Sequence, residues 1–219
     1  MKGIFNLDSP FISFLSRLAD LMILNLRTLI CCIPIVTIGT SLTSMYYGLL
    51  RLRNEEIDSV TRDFFHSFKM NFKQSTLMWA MYLLAIVVLW EDYYLMYVVG
   101  SQTLLRLRYA VYIATALVLV SITWSFVQLS RYHNSIRRII LNSFRIGFAH
   151  FIRTLAMALL TLMPIVVVAL YPPAIPIMLV MGVSLPGYLQ TMLFSPVLKK
   201  LKQPDNDVKT DTEETTQQS

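Results

Sequence analysis

Charge is what this chain has least of. Only 15% of its 219 residues are Asp, Glu, Lys or Arg, against about 25% in ordinary soluble domains. Cysteine is nearly absent too: the two present are the neighbours Cys31 and Cys32. That excludes a disulfide framework and a C-x-x-C redox or zinc pair, and leaves two small polarisable residues inside an apolar stretch. Glycine numbers 7 and histidine 3. Neither a Walker A loop nor a G-x-S-x-G elbow occurs. His66, His133 and His150 show no H-x-x-x-H or H-E-x-x-H spacing, so no metal centre and no cofactor are expected. Glu91 and Asp92 are adjacent. They point to different helix faces and cannot converge on one substrate as an acid–base pair. The chain is therefore read as non-enzymatic. Its opening, MKGIFNLDSPF, offers one early Lys, then Asp8 and Pro10, with no small-residue cleavage site. The first apolar helix is expected to be retained rather than removed as a signal peptide.

What the chain does have is hydrophobic length, at 55% of its residues. Apolar stretches run at 12–33, 36–53, 76–99, 108–130, 153–171 and 174–198. A helix crosses a bilayer core of ~30 Å with about 20 residues, and four of these stretches meet that easily. The first two are ambiguous. Taken as one helix, residues 18–50 would be about 50 Å long, too long even when tilted. Pro34 removes a backbone donor, Gly39 loosens the chain, and Thr40 or Ser41 can cap a new helix. The expectation is a helical hairpin turning near 33–40. The fold class is all-α: a polytopic transmembrane bundle of about six spans over residues 1–202. The alternative is one kinked first span and five crossings.

The net charge of +6 does not indicate nucleic acid, because the cations sit in short segments between apolar spans. Arg51, Arg53, Arg62, Lys69 and Lys73 form one group. Arg131, Arg137, Arg138, Arg145 and Arg153 form a second, and Lys199, Lys200, Lys202 and Lys209 a third. The positive-inside rule makes that side cytoplasmic, in a bacterial cell (cytoplasmic) membrane, with the C-terminus there. The six-span reading puts the N-terminus there as well, and the five-span reading puts it outside. Trp90, Tyr93, Tyr94, Tyr97, Tyr109, Tyr112 and Tyr171 gather at expected outer ends, as an aromatic belt would. Residues 203–219 have almost no apolar content and are expected to form a disordered cytoplasmic tail.

Two segments on the basic side share the pattern S-F-[KR]-x-x-F: SFKMNF at 67–72 and SFRIGF at 143–148. Each follows an inward-going span and leads into an outward-going one, as a parallel duplication would. Phe64, Phe65, Phe68 and Phe72 are spaced for one helical face, with Arg62, Lys69 and Lys73 largely off it. In the second segment Ile136, Ile140, Phe144, Phe148 and Phe151 align, with Arg137, Arg138 and Arg145 on the other sides. Both are expected to be interfacial amphipathic helices among anionic headgroups, packing under the bundle or docking a partner. Phe64, Phe68, Lys69, Phe72, Phe144, Arg145 and Phe148 are the candidate docking residues.

Intramembrane polar groups are costly and default to function. Asp20, Asn25 and Arg27 in the first span form that set. Asp20 can pair with Arg17 three residues away. Arg27 is the deeper charge, and Glu91 or Asp92 is its expected partner. Pro164, Pro172, Pro173, Pro176, Pro186 and Pro196 crowd the last two spans, where Pro164 and Pro186 should kink helices that neighbours must compensate. Gly182 and Gly187 allow close helix approach.

At FNLDSPFISFLSRLADLMILNLRTLICC, IPIVTIGTSLTSMYYGLLRLRNEE and FFHSFKMNFKQST, the chain resembles the YesL-like family of small bacterial membrane proteins of uncharacterised function. The resemblance covers roughly residues 1–200, and the P-I-V-T-I-G-x-S-L-T run is its most specific part. Arg27 departs from it, standing where the family has an apolar residue. The resemblance implies a protein encoded beside carbohydrate-uptake transporters and glycoside-degrading enzymes, and implies no catalytic residues. The leading expectation is thus a membrane accessory to carbohydrate uptake that contacts a sugar transporter permease as well as the bilayer. An autonomous small-solute transporter or channel is the alternative.

Overall fold

A computed structural model describes residues 10–55, 59–99, 102–132 and 135–197. The tail expected at 203–219 lies outside the described residues. Among those described the chain is helical, with no strand. In order come α1 (Pro10–Cys32), α2 (Ile38–Arg53), α3 (Val60–Val99), α4 (Gln102–Leu129), α5 (Ile136–Ala149), α6 (Phe151–Leu170), α7 (Ile175–Met181) and α8 (Ser184–Val197).

Pro10 opens α1 at a position where its missing N–H costs nothing. The hairpin expected near 33–40 is there. Pro34 is extended at φ −75°, ψ 122°, and a 3-10 turn at Ile35–Thr37 reverses the chain. The N-cap of α2 is Thr37, not Thr40 or Ser41, which lie inside the helix. The Thr37 hydroxyl reaches back to the carbonyls of Cys31 at 2.7 Å and Pro34 at 2.8 Å, satisfying acceptors that the end of α1 leaves open. Gly48 of α2 lies against Leu24 of α1, so the two helices run antiparallel.

The least apolar of the expected spans, α2, is the most enclosed. Gly39, Thr40, Ser41, Thr43 and Ser44 are all buried. Small residues let neighbouring backbones approach closely. The hydroxyls of Ser41, Thr43 and Ser44 donate to the carbonyls four residues back, so burying them leaves no open donor.

The segment 60–99 contains neither proline nor glycine, and α3 runs through it unbroken for 40 residues. The first amphipathic segment is therefore not a separate helix lying along the interface. It is the lower half of a rod about 60 Å long, twice a ~30 Å hydrocarbon core. The second segment is a separate helix, α5, divided from α6 at His150 (φ −124°, ψ 49°).

The α1–α2 hairpin ends beside the middle of that rod. Trp79 Nε1 donates to the Ile35 carbonyl at 2.7 Å, and the Thr40 and Thr76 hydroxyls pair at 3.2 Å. Above that level α3 and α4 continue as a two-helix arm. Between Tyr82 and Ser121 no described residue is buried.

Three helical stretches are long and apolar enough to cross a membrane: Val60–Val98, Arg108–Leu129 and Phe151–Leu170. A fourth results if Pro172–Met181 and Ser184–Val197, bent by 59°, count as one span. The expected six are not confirmed. α1 carries Arg17, Asp20 and Arg27, and α2 has 16 residues, so neither reaches that standard.

Candidate functional site

The bend between α7 and α8 opens backbone groups in the protein interior, and one side chain closes them. Asn25, fully buried on α1, donates its amide to the Leu179 carbonyl at 2.7 Å. Its Oδ1 accepts the N–H groups of Val183 and Ser184, each at 2.9 Å. The residue singled out as a candidate intramembrane polar group thus serves both ends of the interruption. The Ser184 hydroxyl beside it is buried with no partner among the described residues.

Asp20 and Arg27 form no pair with the residues expected. Arg17 bridges to Glu55 at the open end of the α1–α2 hairpin, not to Asp20. Glu91 and Asp92 sit 12 and 13 positions beyond Trp79 on α3, roughly 18 Å past the hairpin tip and out of reach of α1. Asp92 faces a groove between α3 and α4, lined by Leu89, Leu95, Ala110 and Val111. Arg27 keeps Nη1 buried and without a hydrogen-bond partner among the described residues.

The docking candidates divide. Phe64, Phe68 and Phe72 stack in a ladder with ring centroids 6.1 and 5.7 Å apart. Phe64 is fully buried, Phe68 half-buried, and Phe72 is 40% exposed, three positions after the exposed Lys69. On α5 the buried face is Ile139, Ser143, Ile146 and Gly147. The apolar face expected to pack under the bundle or dock a partner, through Phe144 and Phe148, is turned outward: Phe144 is half-buried, Phe148 is 63% exposed and Arg145 is exposed. The two S-F-[KR]-x-x-F motifs match in burial at five of six positions: buried Ser, half-buried Phe, exposed cation, buried fifth residue, exposed last Phe.

Each motif is anchored by its serine or by its neighbours on the same helix. Ser143 accepts from Gln128 Nε2 at 2.8 Å and pairs with the Ser125 hydroxyl at 3.0 Å. The Tyr82 hydroxyl extends that chain to Ser125 and Ser121, both at 2.6 Å. In the first unit Ser75 donates to Thr43 at 3.2 Å. At the α5–α6 corner Trp124 Nε1 donates to Thr154 Oγ1 at 2.9 Å, and that hydroxyl donates on to the Gly147 and His150 carbonyls.

Sequence reasoning treated Arg51 and Arg53 only as topology-setting cations. Both are built into the bundle. Arg51 pairs with Asp63 at 2.7 Å, the carboxylate side chain being 8% exposed, and Arg53 donates to the Thr191 carbonyl. Their signal was present in the opposite charges flanking the α2–α3 turn. Among the described residues no group of three His, Cys, Asp or Glu side chains is placed to hold a metal.

A cavity of about 230 Å³ lies between α2, α4, α6 and α8. Its polar side is one hydrogen-bonded chain. The Tyr46 hydroxyl donates to Gln190 Oε1 at 2.6 Å, and Gln190 Nε2 donates to the Met157 carbonyl at 3.0 Å and to Thr161 Oγ1 at 2.8 Å.

Residues 21–93 match the family described as "Protein of unknown function, DUF624". The DUF624 match runs from the middle of α1 through the hairpin and most of α3, so it includes Asn25, the Arg51–Asp63 pair and the Phe64–Phe72 ladder. It supports kinship with an uncharacterised family over that stretch. No curated protein and no solved structure matches the chain.

Proposed function

We propose that this chain is a non-enzymatic multi-pass protein of the bacterial cell membrane, and that its basic side docks a second membrane protein. The observation that carries the reading is the pair of outward-facing strips ending in Phe72 and Phe148. Each presents an exposed aromatic beside a cation, Lys69 or Arg145, on a segment whose other face is already packed. Large exposed apolar residues rimmed by charge mark interaction sites. The YesL-like resemblance supplies the partner class, a permease for carbohydrate uptake.

Four crossings fit this reading: α3, α4, α6 and the bent α7–α8 pair. α3 carries no charged residue from Gln74 to Trp90, and α4 none from Tyr109 to Leu129. The α1–α2 hairpin, whose tip lies beside Trp79, then enters from the basic side and returns to it. On this reading Pro10 and Val197, the two ends of the described chain, lie on the cytoplasmic side.

The test is co-purification of the tagged chain with a transporter permease from its native membrane. Replacing Phe72 and Phe148 with Ala should abolish a stoichiometric complex while leaving insertion intact. An unchanged complex rejects docking through these strips. Solute transport is the second reading, favoured by the interruption at Gly182–Val183. Asn25 already holds three backbone groups there, and flux by the purified chain in liposomes decides it.

A further inference from the structure

The cavity between α2, α4, α6 and α8 is an interior feature that the docking reading leaves unused. We propose that it holds the hydrocarbon chain of a membrane lipid, admitted past α6. This rests on the membrane placement proposed above.

Its deep wall is Met45 and Tyr46 of α2 with Phe126 of α4, all buried, and its outer edge is Thr161 and Ile165 of α6, both exposed. The edge is continuous with Leu159, Leu162 and Val166, which α6 also turns outward. A span with that surface has lipid tails as its immediate neighbours. The occupant and the cavity mouth therefore share one apolar environment.

The polar groups inside argue against a sugar or another hydroxylated solute. The Tyr46 proton and both amide protons of Gln190 are already given to protein acceptors, and Thr123 donates to the Leu119 carbonyl. A polar ligand would have to break these bonds to gain donors of its own, and a buried polar group without a partner is costly. A hydrocarbon chain needs none of them. It also restores dispersion contacts that the apolar walls lack when nothing fills the space. Pro164 and Pro186 line the same cavity. Neither brings an N–H that could bridge it.

The experiment reconstitutes the full chain in phosphatidylglycerol–phosphatidylcholine liposomes. The probe is a phosphatidylcholine carrying a diazirine near the end of one acyl chain. After illumination, adducts are mapped by peptide mass spectrometry. Adducts on Met45 or Leu42 of α2, together with the outer face of α6 at Leu155 and Leu159, are expected. Met45 is only 1% exposed and meets a lipid tail only through the cavity. Adducts on the α6 face without any on α2 overturn the cavity proposal and leave membrane placement standing. Absence of adducts on α6 as well overturns both. Moving the diazirine next to the headgroup should remove the α2 adducts, and their persistence would overturn entry by the chain end.

Discussion

Asn25 and Ser184, 159 positions apart in the chain, are joined by a 2.9 Å bond from the Ser184 N–H to the Asn25 amide oxygen. Through this bond and its two companions the first helix determines where the last one begins. Asn25→Leu removes an acceptor for two N–H groups and a donor for one carbonyl. Hydrogen bonds between membrane helices average about 0.6 kcal/mol, and burying the orphaned groups adds to that. The expected loss is roughly 2–4 kcal/mol, read as a lower melting temperature in detergent. Asn25→Asp keeps the acceptor and should lose less. Equal stability of Asn25→Leu and the parent would mean the bend is held by packing alone.

Arg51 and Asp63 should be energetically coupled. Breaking a buried pair costs more than deleting it, because a desolvated charge is left behind, and Asp63 Oδ2 already has no partner among the described residues. Arg51→Ala should therefore destabilise more than Arg51→Ala combined with Asp63→Ala. With the Arg51 side chain 27% exposed, screening trims the coupling to about 1–2 kcal/mol. A double-mutant cycle that closes to zero rejects it.

Gly39→Ala should loosen the hairpin from α3. A Cβ there would lie 2.6 Å from Trp79 Cβ and 2.9 Å from the Ser75 carbonyl, and neither atom moves without the helix. The cost should be about 1–3 kcal/mol. At Gly147 a Cβ would lie 2.3 Å from Val120 Cγ1, on a β-branched side chain that a helix holds to one rotamer, so Gly147→Ala should cost a similar amount. Unchanged thermal melts for either variant would show that the neighbouring helix gives way.

Phe64→Ala and Phe72→Ala separate packing from docking. Phe64 is fully buried, and its truncation should cost about 3–5 kcal/mol. Phe72 is half outside the bundle, so Phe72→Ala should leave the melting temperature within a few degrees. Similar losses for both would place Phe72 in the fold rather than at a partner.

The tip of the α1–α2 hairpin should stay hidden from the outer side of the membrane. In a Cys31→Ala, Cys32→Ala background, Tyr97→Cys should react with an impermeant maleimide added to intact cells, and Ile35→Cys should not. Labelling of both at similar rates would make the hairpin a full pair of crossings.

Much of the fold is legible in the sequence. Apolar run lengths gave the helices, and Pro34 gave the hairpin. The hairpin's depth was not legible, because run length says nothing about which level of α3 a tip reaches. That level is set by tertiary pairs such as Thr40–Thr76 and Trp79–Ile35. The packed face of α5 was not legible for a related reason. Phe144 and Phe148 have the stronger apolar period, yet the small Ser143 and Gly147 allow the close approach that Trp124 and Val120 need. Asn25 was visible as a polar residue in an apolar stretch, but its hydrogen-bond partners lie more than 150 residues away in sequence, where no local pattern points.

The unbroken length of α3 has a mechanical consequence. A helix that joins the Phe72 strip to the far tip of the arm in one piece behaves as a lever. A partner that tilts the lower end by about 5° swings the other end by about 5 Å over its ~60 Å length. Contact at the basic face would then be carried to the far tip together with the hairpin, which is locked onto α3 at Gly39 and Thr40.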